Sequence, residues 1–208
     1  MAKYFAVDVE TSTTNFEEGS PKINKLLQLS YVILDEDLKE LIRKNFYVKY
    51  DIDEIDEIVD SMNDYVKVMH TCSGLIDNLK DTNKVLDLVT IEVELTNDIK
   101  NSISYPSEKI IPVGNNVEFD LEVIRRYFKK ASSMLHYSSI NVSAVRKTMD
   151  IAFPGIAAMS YGFKNSNHDS LVDIEECIKE FKTYLRIFKY SFNEYSVKEA
   201  YRKEFHNK

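Results

Sequence analysis

The sequence contains few of the residues that mark disulfide-rich, zinc-binding or membrane-spanning proteins. Its 208 residues include two cysteines, five glycines, four prolines and no tryptophan. Cys72 and Cys177 share no close spacing, so the sequence predicts neither a disulfide framework nor a zinc site, and we expect a reducing, cytoplasmic location. No apolar run approaches the roughly 20 residues of a membrane span, and we expect neither a signal peptide nor a membrane partner.

The chain also lacks an excess of basic residues. It carries 27 lysines and arginines against 34 aspartates and glutamates, a formal net charge of −7. Proteins that bind long duplexes usually present a basic surface, although bound metal ions reverse the local field at an acidic site. The charge balance therefore favours a short or single-stranded nucleic acid over a long duplex as a partner.

The hydrophobic pattern predicts a single α/β domain over residues 1–208, with 188–208 as a charged, partly helical extension. Three consecutive strands are expected at 3–9, 27–34 and 44–48. Shorter strands are expected at 109–114 and 140–142. Apolar residues at helical spacing predict helices within 52–79, 85–103, 118–130, 144–153 and 170–187.

Some details of these helices follow from single residues. In the 85–103 pattern, Leu86, Val89, Val93 and Ile99 lie on or near one stripe. Asn116 and Ser143 are the expected N-caps of the helices that follow them, because asparagine and serine side chains accept hydrogen bonds from the first turn.

Two acidic residues stand on the first predicted strand. Asp8 and Glu10 project from one face, while Val7 and Val9 point to the other. A strand this apolar is typical of the centre of a sheet, where two carboxylates are costly to desolvate without cations. The pair therefore predicts a divalent metal site, and the alternative is an exposed edge strand.

Three further polar residues follow downstream. Asp120 lies near the start of a predicted helix, and His168 and Asp173 lie around the start of the last one. Each has a structural alternative: Asp120 could complement a helix dipole, Asp173 could form a capping box with Ser170, and His168 could be a surface residue. Taken together, four carboxylates and one histidine in this order are what a two-metal 3′–5′ exonuclease needs.

The motifs around these residues resemble those of the DEDD exonucleases, histidine subclass. They are Asp8-Val9-Glu10-Thr11, then Gly114-Asn115-Asn116 leading to Asp120, then His168 followed after four residues by Asp173. Two more segments resemble signatures of the oligoribonuclease branch, namely His70-Thr71-Cys72-Ser73-Gly74-Leu75 and His136-Tyr137 before a short strand. The resemblance covers most of residues 4–184. It implies a ribonuclease H-like fold, a mixed central sheet of three meander strands plus shorter strands, flanked by helices.

The resemblance implies a metal-dependent 3′–5′ exoribonuclease that hydrolyses short oligonucleotides to 5′-mononucleotides. Carboxylate-only ligands suit two Mg²⁺ or Mn²⁺ ions. We expect Asp8 to bridge the ions, Glu10 and Asp173 to complete one shell, and Asp120 to hold the other ion mainly through water. His168 is the expected acceptor of the proton from the attacking water.

The resemblance also implies substrate contacts and a homodimer. His70, Ser73 and Asn116 are candidates for substrate binding, and His136 and Tyr137 for residues donated across a dimer interface. The alternatives are a capping or hydrogen-bonding role for Ser73 and core packing for Tyr137.

Two positions depart from the family pattern. The family usually carries a serine after Gly-Asn and an arginine after His-Tyr, both implicated in binding the 5′ phosphate of a dinucleotide. Asn116 and Ser138 stand at these places. Catalysis is therefore expected to carry over better than selection for dinucleotides. Two other functions stay open: a single-stranded DNA 3′–5′ exonuclease of the proofreading or repair type, and a binding protein that sequesters short nucleotides.

Overall fold

A computed structural model describes residues 2–13, 25–105, 107–155, 169–191 and 196–197. The strands within this part of the chain are β1 Ala2–Thr11, β2 Leu26–Asp35, β3 Glu40–Val48, β4 Val85–Leu86, β5 Ile111–Gly114 and β6 Ile140–Asn141. The helices are α1 Ile52–Ser61, α2 Asp64–Cys72, α3 Leu75–Lys80, α4 Leu88–Ser102, α5 Glu118–Tyr127, α6 Lys129–Ser132, α7 Val142–Ala152 and α8 Ser170–Ser191. None of the described helices combines the length and apolar character needed to cross a bilayer.

The six strands form one mixed sheet in the order β4-β3-β2-β1-β5-β6. β1, β2 and β3 make an antiparallel meander, whereas β5 runs parallel to β1, and β4 runs parallel to β3. The sheet therefore contains the predicted three meander strands plus shorter strands. β1 lies between β2 and β5 in this order, and Glu10 is buried, so the alternative that the two acids lie on an exposed edge strand is wrong.

Helices cover both faces of this sheet. On one face, Phe5, Val7 and Val9 pack with apolar residues of α4 and α5. On the other face, Ala6 and neighbouring residues of β2 pack with α7 and α8. A third apolar cluster joins the end of β2 to α1, α2 and α3. Burial on both faces explains why β2 is buried along its whole length except at Asp35.

The predicted stripe of the fourth helix is wrong. Val89 and Val93 are 72% and 50% exposed, and the buried residues of α4 include Ile91, Leu95 and Ile99. Val89 and Val93 lie two positions before Ile91 and Leu95, about 200° around the helix, so they face solvent when those two residues pack on the core. Val85 and Leu86 form β4, so the helix starts only at Leu88. Its first turn is then set by Asp87, whose side chain accepts a hydrogen bond from the Thr90 backbone N–H.

Both predicted N-caps are also wrong. Val117 precedes the first residue of α5, and Asn116 adopts a left-handed backbone with φ of 51°. The cap of α7 is Asn141, whose side chain accepts a hydrogen bond from the Ala144 backbone N–H. Helix α8 continues to Ser191, so the first residues of the predicted 188–208 extension complete this helix. Most of the extension lies outside the described residues.

Candidate active site

Asp8 and Glu10 lie on one face of β1 beyond the point where β5 stops pairing with it. The parallel pairing of β1 with β5 covers only Tyr4 to Ala6. Glu10 is 8% exposed, and Asp8 is half-buried. The two carboxylates therefore lie on the part of the central strand that β2 pairs with on one side and that no strand of the described chain pairs with on the other.

Helix α8 brings a third carboxylate to this space. Asp173 lies in the first turn of α8, and its backbone N–H donates to the carbonyl oxygen of Asp169. One carboxylate oxygen from each of Asp8, Glu10 and Asp173 can be chosen so that all three lie within 4.8 Å of one another. Three oxygen ligands at this spacing could hold a divalent cation.

Asp120 reaches the same strand from the first turn of α5. Its Oδ1 accepts a hydrogen bond of 2.9 Å from the backbone N–H of Val9, between the two acids of β1. The turn before α5 can come this close because residue 114 is glycine. A Cβ there would lie 2.9 Å from Cγ2 of Val117 and 3.2 Å from the carbonyl oxygen of Val7. The sequence-predicted acid is thus buried against β1.

Burial raises the pKa values of Asp8, Glu10 and Asp120, and repulsion between carboxylates adds to the effect at Asp8 and Glu10. Burial raises the pKa of Glu10 to about 8, and the negative charges of Asp173, Asp120 and Asp169 act in the same direction. Burial raises the pKa of Asp120 to about 8 against the opposing effect of its backbone hydrogen bonds. Burial, then the charges of Asp120 and Glu10, raise the pKa of Asp8 well above its usual range. The cluster therefore favours protonation unless positive charge is supplied.

Asp169 is a member of this acidic neighbourhood that the sequence analysis missed. Its charge raises the pKa values of both Asp8 and Glu10. Its Oδ1 accepts a hydrogen bond from the Leu171 backbone N–H, which fixes the carboxylate at the start of α8. The available signal was its place directly before Ser170, where an acid can receive the free N–H groups of a helix start.

The predicted catalytic histidine, His168, lies outside the described residues. Its role as the acceptor of a proton therefore stays a prediction. The residue that follows it, Asp169, already lies within the electrostatic reach of the β1 acids.

His70 lies behind the carboxylates and not on the surface. Its ring is fully buried, with Nε2 2.9 Å from the carbonyl oxygen of Thr11 and Nδ1 3.8 Å from Oε2 of Glu10. The predicted contact of His70 with a substrate does not fit this burial, and the ring instead packs against the end of β1. Ser73 follows α2 as its C-cap, and its hydroxyl donates to the carbonyl oxygen of His70. This is the hydrogen-bonding alternative for Ser73.

Known proteins match this chain over most of its length. The oligoribonuclease of Mycobacterium leprae is 30% identical over 179 residues, which cover 86% of this chain and 78% of the relative. The chain belongs to the oligoribonuclease family. The oligoribonucleases of Ralstonia nicotianae and Thiobacillus denitrificans are 29% and 26% identical over 170 residues each, or 81% of this chain and 73% and 88% of the relatives. The predicted family and its enzyme class, a 3′–5′ exonuclease, are confirmed. No protein-family model matches the sequence.

Solved structures of exonuclease I share the fold. The E. coli enzyme in complex with a dT13 oligonucleotide has a TM-score of 0.60 and 18% identity, covering 96% of this chain and 46% of exonuclease I. A further exonuclease I structure has a TM-score of 0.61 and 19% identity over the same shares. The predicted ribonuclease H-like fold is confirmed. This oligoribonuclease-family chain spans less than half of exonuclease I.

Two family positions lie in the turn between β5 and α5 and in the segment before β6. Asn116 is exposed, and its backbone N–H donates to Oδ1 of Asn141. The ring of Tyr137 is 97% exposed and lies with its centroid 4.5 Å from that of His136. Core packing, the alternative for Tyr137, is therefore wrong. Ser138 is exposed beside them, and its backbone N–H donates to Nδ1 of His136.

Proposed function

We propose that this protein is a divalent-metal-dependent 3′–5′ exoribonuclease that degrades short oligonucleotides to 5′-mononucleotides. Membership of the oligoribonuclease family supports the reaction and the class of substrate. The observation that carries the proposal is the convergence of Asp8, Glu10 and Asp173, whose carboxylate oxygens lie within 4.8 Å of one another. Asp120, bonded to the backbone of the same strand, supplies a fourth carboxylate.

The ligand set fits Mg²⁺ or Mn²⁺. All four groups offer carboxylate oxygen, which hard divalent cations prefer. Burial is the main cause of the pKa values of about 8 for Glu10 and Asp120, so the ionised carboxylates are costly in this site unless bound cations stabilise them. Asp8 would serve both ions, Glu10 and Asp173 would help to hold one of them, and Asp120 would help to hold the other.

The reaction needs a polarised phosphate and an activated water. Two divalent cations, when bound, stabilise charge on the scissile phosphate and lower the pKa of water. Groups of the protein hold the carboxylates in place before any ion binds. The Val9 backbone N–H orients Asp120, and the buried ring of His70 packs beside Glu10. We assign to His168 the acceptance of the proton from the attacking water.

Asn116, His136 and Tyr137 supply the proposed contacts with substrate and partner. Asn116 and His136 are assigned to the substrate end that lies away from the scissile bond. Tyr137 is 97% exposed, and contact with a second subunit would bury this aromatic side chain. We therefore propose a homodimer. We also propose a role in cytoplasmic RNA degradation, because the cysteine usage suits a reducing compartment.

The test is a digestion series on a 5′-labelled RNA dinucleotide and pentanucleotide. We expect stepwise shortening from the 3′ end in Mg²⁺ or Mn²⁺ and no product in excess chelator. Asp8→Ala is expected to abolish the activity. Asp53→Ala is the matched control, because Asp53 is an exposed acid in the first turn of α1. Asp8→Ala protein that digests RNA as fast as the wild type would show the assignment to be wrong.

A single-stranded DNA exonuclease is the second candidate. The observation in its favour is the fold shared with exonuclease I, one structure of which holds a dT13 oligonucleotide. RNA and DNA oligomers of increasing length, compared at one salt concentration, separate the two candidates. Faster digestion of DNA at every length would replace the first proposal. Tight binding of a dinucleotide with no product after hours in Mn²⁺ would instead indicate a binding protein.

A further inference from the structure

A row of buried polar residues crosses the sheet beside the carboxylates. In the β1–β2–β3 register, Asp8 pairs with Ser30 and Ser30 pairs with Asn45. The neighbouring row pairs Glu10 with Gln28. Directly paired residues on adjacent strands present their side chains to the same face of a sheet. The acids on β1 therefore continue into uncharged polar residues on β2 and β3.

These polar residues are joined by hydrogen bonds to one another and to α8. The Ser30 hydroxyl donates to Oδ1 of Asn45 at 3.0 Å, and the amide of Gln28 donates to the same oxygen at 2.9 Å. The Oγ atoms of Ser30 and Ser170 are 2.5 Å apart. Because the Ser30 proton is directed to Asn45, the Ser170 hydroxyl is the donor to Ser30. The network thus links three strand residues to the first residue of the last helix.

Close packing between β2 and α8 does not by itself require the two hydroxyl groups. Ser30 and Ser170 are both fully buried, and β2 is otherwise almost entirely apolar. Replacing two buried groups that hydrogen-bond to each other by apolar groups of similar shape is often nearly neutral for stability. A hydrogen bond does, however, fix both the distance and the direction between two elements, which apolar contact does less sharply.

Ser170, the residue of α8 that bonds to Ser30, lies about one helical turn before Asp173, a carboxylate of the proposed metal site. Ser170 precedes Asp173 by three residues, and side chains at this spacing lie on one side of a helix. On the sheet, the direct neighbour of Ser30 on β1 is Asp8. The two hydroxyl groups therefore lie next to the two carboxylates that the metal site brings together, Asp8 of β1 and Asp173 of α8.

We propose that the hydrogen bond between Ser30 and Ser170, supported by Asn45 and Gln28, positions the start of α8 on the sheet. In this position the carboxylate of Asp173 meets those of Asp8 and Glu10 at the metal site. The proposal rests on the metal-dependent function proposed above. Ser30 and Ser170 are positioning residues, since they act on the reaction only through the carboxylates. Groups that orient metal ligands typically change metal affinity or activity 10- to 100-fold when they are removed.

The test compares Ser30→Ala, Ser170→Ala and the double variant with Tyr31→Phe. Tyr31 is the next residue of β2, is equally buried on the opposite face, and donates its hydroxyl to Asp98 of α4 at 2.7 Å. Tyr31→Phe thus removes a partly buried hydrogen bond of a hydroxyl group between the same strand and a helix that carries no proposed ligand. Each protein is measured by Mn²⁺ titration calorimetry, by thermal unfolding in chelator, and by kcat and KM on an RNA dinucleotide.

We expect both serine variants to bind Mn²⁺ roughly 10-fold more weakly and to lose a comparable factor in kcat, with KM for RNA little changed. The double variant is expected to match the single variants, because each single change already breaks the same bond. Tyr31→Phe is expected to keep wild-type Mn²⁺ affinity and kcat, with any change confined to thermal stability.

Wild-type Mn²⁺ affinity and kcat in both serine variants would overturn the proposal and leave the bond a purely structural one. An equal loss of Mn²⁺ affinity in Tyr31→Phe would also overturn it, because the effect would then be general loosening of the fold. A wild-type protein that binds Mn²⁺ but digests no RNA would refute the exoribonuclease, while the calorimetric comparison would still decide the role of the serines.

Discussion

The two faces of β1 differ in what they contribute to the protein. Phe5, Val7 and Val9 enter an apolar core with α4 and α5. On the other face, the residues alternating with these begin as apolar at Ala6 and then become the acidic pair. Neighbouring residues of one strand thus face an apolar core on one side and the proposed metal site on the other. We therefore expect that substitution of the acids leaves the core beneath the other face intact.

The largest expected effect comes from removing one charge on the acidic face. Asp8→Asn is expected to lower the rate on an RNA pentanucleotide roughly 1,000-fold, which corresponds to about 4 kcal/mol of lost charge stabilisation. The midpoint of thermal unfolding in chelator should stay the same or rise, because one of several mutually repelling buried carboxyl groups is gone. Initial rates and circular dichroism measure the two quantities. A steep fall in the midpoint would mean that Asp8 supports the fold, and the comparison would fail.

The second prediction concerns the apolar core that packs against Phe5, Val7 and Val9 of β1. Leu95 is fully buried on α4, and Leu95→Ala is expected to lower the free energy of unfolding by about 3 kcal/mol. The kcat of the folded fraction should not change. Val93→Ala is the control, since Val93 is 50% exposed on the same helix and should change stability by less than about 0.5 kcal/mol. Urea unfolding and rates at low temperature test this. A reduced kcat well below the unfolding midpoint would show that the faces are coupled.

The pH dependence of metal-free stability should come from the acidic face. The folded state raises the pKa values of Glu10 and Asp120 to about 8, so it holds protons that the unfolded chain releases. Unfolding stability in chelator should therefore fall as pH rises from near 4.5 to about 8 and then level off. Saturating Mn²⁺ at pH 8 should restore stability by binding only the folded state.

Glu10→Gln provides the control for this dependence. Its neutral amide cannot release a proton, so the decline of the unfolding midpoint between pH 5 and pH 8 should be shallower than in the wild type. A wild-type midpoint that is flat over this range in chelator would contradict the raised pKa values.

The smallest expected effect belongs to a residue on neither face. Tyr137 is 97% exposed, so Tyr137→Ala should change the free energy of unfolding of one chain by less than about 0.5 kcal/mol. It should instead weaken the proposed homodimer. Light scattering after gel filtration measures the mass across a dilution series. A clear loss of stability in a protein that is monomeric at every concentration would point to packing within one chain.

The acidic pair was predictable from the sequence because a strand alternates its side chains strictly. The spacing of Asp8 and Glu10 and the apolar residues Val7 and Val9 beside them could be interpreted without knowledge of other elements. The link to Asp120 and Asp173 rested on motifs, and the structure brings both to β1. The long last helix was also predicted, although it ends a turn later, at Ser191.

The sequence predictions are wrong or incomplete where contacts with distant parts of the chain decide the local structure. The stripe through Val89 and Val93 failed because the opposite side of α4, through Ile91 and Leu95, packs on the core, and because Leu86 belongs to β4. The capping role of Asn116 failed because the turn after Gly114 needs a left-handed residue there. Asp169 was missed because its effect on the acids of β1 arises only when α8 packs against the sheet.

The hydrogen bond from Val9 to Asp120 has a consequence for stability. Past Ala6, no strand of the described chain pairs with β1 on the side of β5, so the backbone donors there need other partners. Asp120 accepts from one of these donors, the buried N–H of Val9. Replacing Asp120 with alanine would leave this N–H without its acceptor at the same time as it removes a carboxylate. The catalytic defect of an Asp120→Ala variant therefore has to be measured on protein that is shown to be folded.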